Sequence, residues 1–485
     1  MNNKPLLIIL LMALIAPWAA NAQVADKPLA IPDSGKWNEP NTWIKSGSQV
    51  PTAGTDVYIS GDVTIPAGYT AVAGEVTIAD GGSLTIEEGA QFIHTGMVHG
   101  TVKFTFNASN AKDDEFGNCR LIASPITPFV TVTSTGLIPA DTVDPNYKYV
   151  DLYYFDEEED GWIDYKDPTY DFSTLDITKG YLYVNPKTVH FTFFGYVIPT
   201  ILPVEVDLSY TEGNVNAGLN LVGNPFTCST YITDGNHQAI PYDVMDENGE
   251  YETKAPGTPL APLKGAFVEA TATGQKVIFT TTPPNFDKSV LNITVNQANV
   301  MVDNAIVNFG NGSTLGKLQL NPNHTKVYMP VEGKDYAVAK AESQGEMPVN
   351  FKAEKNGTYT MSFTNEEVTF SYLHLIDNLT GKDVDLLATP SYTIEAKVTD
   401  YASRFKLVYA TGEADHSEEF AFVNNGEIII NGEGTVQVID MLGHQLFSRK
   451  VNSSLLIPHS SLTPGIYVLR LINGDEVKTQ KIVIN

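Results

Sequence analysis

Basic residues, cysteines and long apolar runs are all scarce in this chain. It carries 30 Lys and Arg against 57 Asp and Glu in 485 residues, a formal charge of −27. A surface of that sign repels DNA and RNA at long range, which excludes nucleic-acid binding by the protein as a whole. It favours solubility and can hold Ca²⁺ weakly, but it specifies no substrate. Only Cys119 and Cys228 are present, and neither has a His at a spacing that would make a metal site or an activated thiol. Two uses stay open for them. Paired, they would close a loop of about 110 residues and contribute about 4–5 kcal/mol; unpaired, they are two buried thiols.

Motifs for familiar chemistry are missing as well. The sequence holds no G-x-S-x-G elbow, no H-E-x-x-H and no G-x-x-x-x-G-K-[ST]. GNGSTLG at Gly310 has the wrong glycine spacing for a dinucleotide loop and reads as a turn. His94 and His99, five residues apart on a strand, face opposite sides, so a zinc site is not expected and both read as partly exposed. The one long apolar run, Leu6 to Ala16, is shorter than the ~20 residues a bilayer requires. Behind Lys4 and ahead of Ala20-Asn21-Ala22 it reads as a signal peptide (residues 1–22) cleaved between Ala22 and Gln23. No later segment is apolar enough to cross a membrane as a helix, so the expectation is a secreted protein that is not integral to a membrane.

What remains is strand. Period-2 alternation and β-branched residues recur, cut by Gly, Asn, Asp and Pro, and no amphipathic helix of useful length appears. The expected fold is all-β: N-terminal β-solenoid-like repeats, then β-sandwich domains, then a small C-terminal Ig-like β-sandwich. In residues 23–110, short strands near Tyr58, Ile65, Ile78, Leu84 and Phe92 alternate with Gly-rich turns, which suggests stacked rungs or a compact sandwich. Trp37 and Trp43 are expected to cap that stack, with a sugar platform as the other use open to them. Residues 111–290 form a β-rich middle with two similar pieces, RLIASPITPF from Arg120 and NLVGNPFTCS from Asn220, each a strand running into a Pro turn. Each is followed by a strand opening on Gly, GYLYVN at Gly180 and GAFVEA at Gly265, which together suggest a distant duplication. Residues 291–412 show sandwich alternation, as in Tyr359, Met361 and Phe363. Residues 413–419 are a polar linker, and 420–485 a final small domain with an Asn-Gly hairpin at Asn473.

One acidic segment invites a metal. In YFDEEEDGWIDYKD, Asp156, Glu158, Asp160, Asp164 and Asp167 fall at positions 1, 3, 5, 9 and 12 of a calcium loop, with Gly161 at position 6. No helices flank it, so a plain hairpin with an acidic turn competes with calcium; no other cofactor is indicated. With 57 acids, no pair can be singled out for glycoside cleavage. Tyr153, Trp162, Tyr181 and Tyr183 could stack on sugars or serve as core and cross-strand aromatics.

Two resemblances follow from these residues. Trp37, Trp43, Pro51, Val57, Ile59, Gly81, Gly82, Leu84 and Ile86 resemble the N-terminal region of secreted Bacteroidetes surface proteins, a pattern that speaks to architecture and not to activity. The tail is similar to the type A (Por) C-terminal sorting domain of type IX secretion substrates, matching at Asp440, Gly443, Leu462, Pro464, Gly465, Tyr467 and Lys481-Ile482-Val483. That resemblance implies export by signal peptide and then through the outer membrane, with the type IX secretion machinery as partner and an extracellular or outer-membrane-associated location. The function expected is a non-enzymatic, adhesin-like surface protein, with an extracellular glycan or host surface as a further partner. The alternative is a carbohydrate-binding or glycan-active (glycoside hydrolase- or lyase-like) protein.

Overall fold

The computed structural model describes residues 29–412 and 420–484, apart from residues 33, 109–117, 128–129, 132–136, 138–149, 171, 186–188, 247, 322, 425–426, 441–442, 459–461, 464 and 475. The signal segment with Ala22 and Gln23, the 413–419 linker and Pro464 of the tail motif therefore lie outside the described residues. The protein is all-β: the only helical segment among the described residues is the short 3₁₀ stretch Pro40–Ser46.

At the N-terminal end short strands stack in parallel ladders. Asp62–Ile65 lies beside Ser83–Ile86, which lies beside Val102–Ala108. Asp56–Ile59, Val76–Ile78 and Val98–His99 form a second ladder, and Thr70–Ala73 with Gln91–His94 a third. Alternate residues point inward, so Val63, Leu84 and Val102 line up through one wall and Val57 and Val76 through another. The first ladder then ends against the antiparallel strand Val189–Gly195. Trp37 and Trp43 are fully buried in this core, ring edge to ring face at 5.0 Å, with Trp37 5.6 Å from Phe92. Trp43 Nε1 donates to the Trp37 carbonyl at 2.7 Å. Both indoles are thus spent on the core and neither offers a face to a sugar.

The middle consists of two four-stranded sheets with one strand order. In the first, Asn118–Ala123 pairs with Gly180–Asn185, then Asp151–Asp156, then Gly161–Asp164; in the second, Leu219–Gly223 pairs with Gly265–Glu269, then Tyr242–Met245, then Tyr251–Lys254. The registers agree: Ala123 faces Gly180, and Gly223 faces Gly265. The sheets are stitched reciprocally, with Ile122 bridged to Lys264 and Val222 to Lys179. This close crossing explains the glycines. A Cβ on Gly180 would stand 2.7 Å from the Val222 carbonyl oxygen, and one on Gly223 2.3 Å from that of Lys179. Any side chain there would drive the halves apart.

From Val290 to Thr411, eleven strands join one continuous sheet that curls nearly into a barrel. Its edge strands, Lys382–Asp385 and Ser391–Ala396, are neighbours in sequence. A two-sheet sandwich is expected here; the unbroken ladder replaces it. Leu291, Ile293 and Val295 meet Tyr359, Met361 and Phe363 inside. One buried ion pair crosses this core. Arg404 donates to Asp377 at 2.9 and 3.1 Å, and Tyr392 adds its hydroxyl at 3.1 Å.

The C-terminal unit has seven strands in two sheets: Ala421–Asn424, Glu427–Asn431 and Ser454–Pro458 in one, and Gly434–Asp440, Gln445–Val451, Gly465–Asn473 and Glu476–Ile484 in the other. Ile428, Ile430, Val436, Val438, Leu469 and Ile482 fill the space between them. Each such side chain contributes about 1.5–3 kcal/mol on burial.

Candidate functional site

The tail residues singled out by sequence occupy the turns of this last unit. Asp440 ends its strand and accepts from the His444 amide at 2.8 Å, while the Gly443 amide reaches the Asp440 carbonyl at 3.0 Å. Gly443 has φ of 87°, the left-handed region that glycine enters without strain. In register, Asp440 faces Tyr467 on the next strand. The Tyr467 ring is buried and its hydroxyl donates to the Thr463 carbonyl at 2.7 Å, tying the entry of Gly465–Asn473 to the loop before it. Lys481 faces Val468 and points to solvent just before the buried Ile482. Gln480 accepts from the Phe420 and Ala421 amides at 2.7 Å each, fastening the first strand of the unit to its last. The motif thus fixes shape, and its polar groups serve the backbone.

Glu427–Asn431 carries three successive isoleucines, and period-2 alternation sends them to opposite faces. Ile428 and Ile430 enter the tail core, while Ile429 turns outward onto Tyr372, Val408 and Ala410 of the barrel-like sheet. Phe422 and Leu456 flank Ile429 in register and extend the stripe. His374 closes its edge. Its Nδ1 donates to the Asp383 carboxylate at 2.6 Å, and its Nε2 is hydrogen-bonded to the Ser454 hydroxyl at 2.8 Å. Ser453 donates to Asp385 at 3.0 Å alongside. Sequence reasoning missed this seat, although the run of three isoleucines is the signature of a strand buried on both faces.

The acidic segment is a hairpin, and it does not gather Asp156, Glu158, Asp160, Asp164 and Asp167 into one group of candidate metal ligands. Asp156 caps its own turn through the Glu158 and Glu159 amides, Asp164 takes the Lys166 amide at 2.8 Å, and Asp167 takes Thr169. Asp160 faces away, accepting from the Val215 and Asn216 amides at 2.8 and 3.1 Å. Desolvation pushes the Asp160 carboxyl up, but the Asn216 side chain and these two amides outweigh it and hold it below the ordinary carboxylate range. In the second sheet the corresponding hairpin is also capped by an aspartate, Asp246, through the Asn248 and Glu250 amides. No group of three or more potential metal ligands is gathered among the described residues. The carboxylate that matters here is Glu157, buried and unremarked in the sequence, which clamps the loop after Ser209 through Thr211 and Gly218 at 2.7 Å each.

Three other groups of residues singled out by sequence fall as follows. Cys119 and Cys228 are not joined in a disulfide. Cys228 sits in the core beside Phe226 and Ile232, where burial pushes its thiol up to about 12, whereas Cys119 packs on a different cluster around Leu121. Tyr181 and Tyr183 are core residues, and Trp162 packs against Phe155 and Phe267; exposed aromatics among the described residues include Tyr58, Phe194, Tyr196 and Tyr401. His94 is fully buried against Phe92, with its pKa lowered by desolvation, so only His99 of that pair is at the surface, beside Glu75.

Charge is gathered where the second middle sheet meets the barrel-like sheet. Thr253 and Asn304 exchange hydrogen bonds at 2.8 and 2.9 Å across the joint. Lys317, almost fully buried, donates to Asp303 at 2.6 Å and to the Asn304 carbonyl at 3.0 Å, and Asp303 also takes the Val327 amide at 2.6 Å. Burial pushes the Asp303 carboxyl up against the pull of Lys317. Glu269 is held by Lys334 at 2.5 Å and the Gly316 amide at 2.7 Å. Asp243, buried, takes the Thr253 hydroxyl at 2.6 Å; burial pushes it up to about 6. A cleft of about 250 Å³ opens here, lined by Asp243, Glu269, Lys317 and Lys334. Sequence spacing gave no signal for it, because its residues come from segments far apart in the chain.

Comparisons with known proteins bear on the tail. Residues 422–485 match the family described as the secretion system C-terminal sorting domain, which supports the type IX resemblance. Among curated proteins none matches the chain. A solved structure titled "Biofilm associated protein - BSP domain" aligns over 70% of this chain and 89% of that one, at 9% identity and a TM-score of 0.16. No helix among the described residues is long and apolar enough to cross a membrane.

Proposed function

We propose that this chain is a secreted, surface-displayed, non-enzymatic β-protein with an adhesin-like role, led out of the cytoplasm by residues 1–22 and handed to type IX machinery by its C-terminal sandwich. The observation that carries the reading is the match of residues 422–485 to a sorting domain, on a unit with its own apolar core and turn motif. A transporter that reads a folded shape needs such a unit. The Asp440–Gly443 turn and the Tyr467–Thr463 tie keep that shape constant. The body, three successive β-regions under a strongly acidic surface, suits display in the medium or on the envelope. Outer-membrane association and a host or glycan partner belong to the same proposal.

The test is fractionation of the native bacterium, expected among the Bacteroidetes, carrying either the whole chain or a version ending before Phe420. The truncated protein should accumulate in the periplasm while the whole chain reaches the surface or medium. Equal delivery of both would overturn the export reading. Export without any binding to cells, matrix or glycans would overturn the adhesin role alone.

A further inference from the structure

The C-terminal sandwich has two outer faces, and one of them is taken. The sheet of Ala421–Asn424, Glu427–Asn431 and Ser454–Pro458 turns Phe422, Ile429 and Leu456 onto the body, with Ser453 and Ser454 hydrogen-bonded beside them. The sheet of Gly434–Asp440, Gln445–Val451, Gly465–Asn473 and Glu476–Ile484 therefore holds its outer face away from the body. In water such a face is ordinarily polar. This one is not. Val436, Val438, Leu469 and Ile482 point inward, so alternation sends Ile439, Ile466, Val468, Ile472, Val477 and Val483 outward. Register sets them in pairs: Ile439 faces Val468, Ile472 faces Val477 and Ile466 faces Val483. Ile466, Val477 and Val483 are exposed, and none of the six belongs to the apolar clusters inside the unit or at its seat on the body.

The charges between them have one sign. Lys450, Arg470 and Lys481 take outward positions, across from Thr435, Gln437 and Val468. Asp440 and Glu476 fall on the other parity, opposite Tyr467 and Asn473, so no carboxylate stands on this face among the described residues. The tail lysine that has a carboxylate near it is Lys478, on the inward parity, with Glu476 at 3.9 Å. The bias is local. From Phe420 onward five Asp and Glu stand against five Lys and Arg, so the chain's whole charge of −27 lies upstream.

Apolar β-branched rows interrupted by cations suit a protein surface that carries carboxylates among apolar groups. A second copy is a poor occupant, because each would bring its acidic body to the other. An anionic lipid surface repels that body too, gains little from three cations, and meets no outward aromatic on these strands to anchor in it.

We propose that this face is the one read by the type IX export machinery, through a partner protein whose docking surface is apolar and acidic. The inference rests on the export reading and adds to it the face and its chemistry.

Delivery in the native bacterium tests it, comparing the full chain, the chain ending before Phe420 and three full-length variants. Arg470→Glu with Lys481→Glu should lower the surface and medium fraction about tenfold or more and leave the protein in the periplasm, with the melting midpoint of the purified chain unchanged. Val468→Thr, which keeps the shape and removes an apolar contact, should lower delivery severalfold and keeps the test decisive if the double variant fails to fold. Lys103→Glu with Lys340→Glu makes the same change of charge at exposed positions of the body and should be delivered like the parent. Retention of the truncated chain with normal delivery of both face variants would overturn the face and leave the export reading standing. Delivery of the truncated chain would overturn both. Equal loss in the Lys103 and Lys340 variant would make net charge the cause and overturn the proposal. So would sedimentation of the purified chain with phosphatidylglycerol vesicles, lost in the Arg470 and Lys481 variant, since the occupant would then be a lipid surface.

Discussion

The C-terminal sandwich and the 243–335 joint solve opposite problems. The tail core is aliphatic apart from Phe420 and Tyr467, and polar groups of its motif sit at turns where the backbone uses them. The joint buries two carboxylates and a lysine between sheets, each engaged by a partner. The first unit keeps its shape by burying hydrocarbon. The second, in the middle of the chain, is held by paired and hydrogen-bonded charge.

Four measurements would break or sharpen that contrast. The largest effect belongs to the joint. Lys317→Met strands Asp303 in the interior and should cost about 3–5 kcal/mol in chemical denaturation; a loss below about 1 kcal/mol would mean the pair is wetter than its geometry. In the tail, Leu469→Ala, at a fully buried position, should cost about 2–5 kcal/mol of that unit's stability and lower export with it. Normal export by a demonstrably unfolded tail would contradict shape recognition.

The third concerns pH. The Asp243 carboxyl is raised to about 6 in the folded protein, so folding takes up a proton there. Its ionisation lowers stability above pH 6, and stability returns as pH falls from 6 toward 4. Asp243→Asn should then gain about 1–3 kcal/mol at pH 8, with the gain fading by pH 4. A gain independent of pH would point to packing instead. The smallest effect is Tyr467→Phe, which removes the 2.7 Å bond to Thr463 and should cost about 0.5–1.5 kcal/mol without a pH dependence.

The two regions also differ in how far they could be read from the chain. The tail was legible because its signals are local: Asn473-Gly474 for a hairpin and a strand pattern from Gly465 onward. The strands Ala421–Asn424 and Ser454–Pro458 were not anticipated, since short edge segments carry little periodicity. At the joint, Asp243, Glu269, Asp303, Lys317 and Lys334 lie on strands and loops whose proximity follows only from how two sheets pack. For Asp156 to Asp167 the sequence left a hairpin and a calcium loop open, and local geometry explains why the hairpin form emerges. Consecutive acids suggest shared coordination, but a hairpin turns alternate side chains apart and its own amides claim the oxygens.

Phe422, Ile429 and Leu456 have a practical corollary. Transplanted behind an unrelated passenger, the last sandwich would leave that greasy row naked, and the fusion would tend to clump or pair with itself. A carrier for foreign cargo built from this tail would need polar replacements at those three positions, or would have to bring along the strands bearing Tyr372 and Val408 as its own cover.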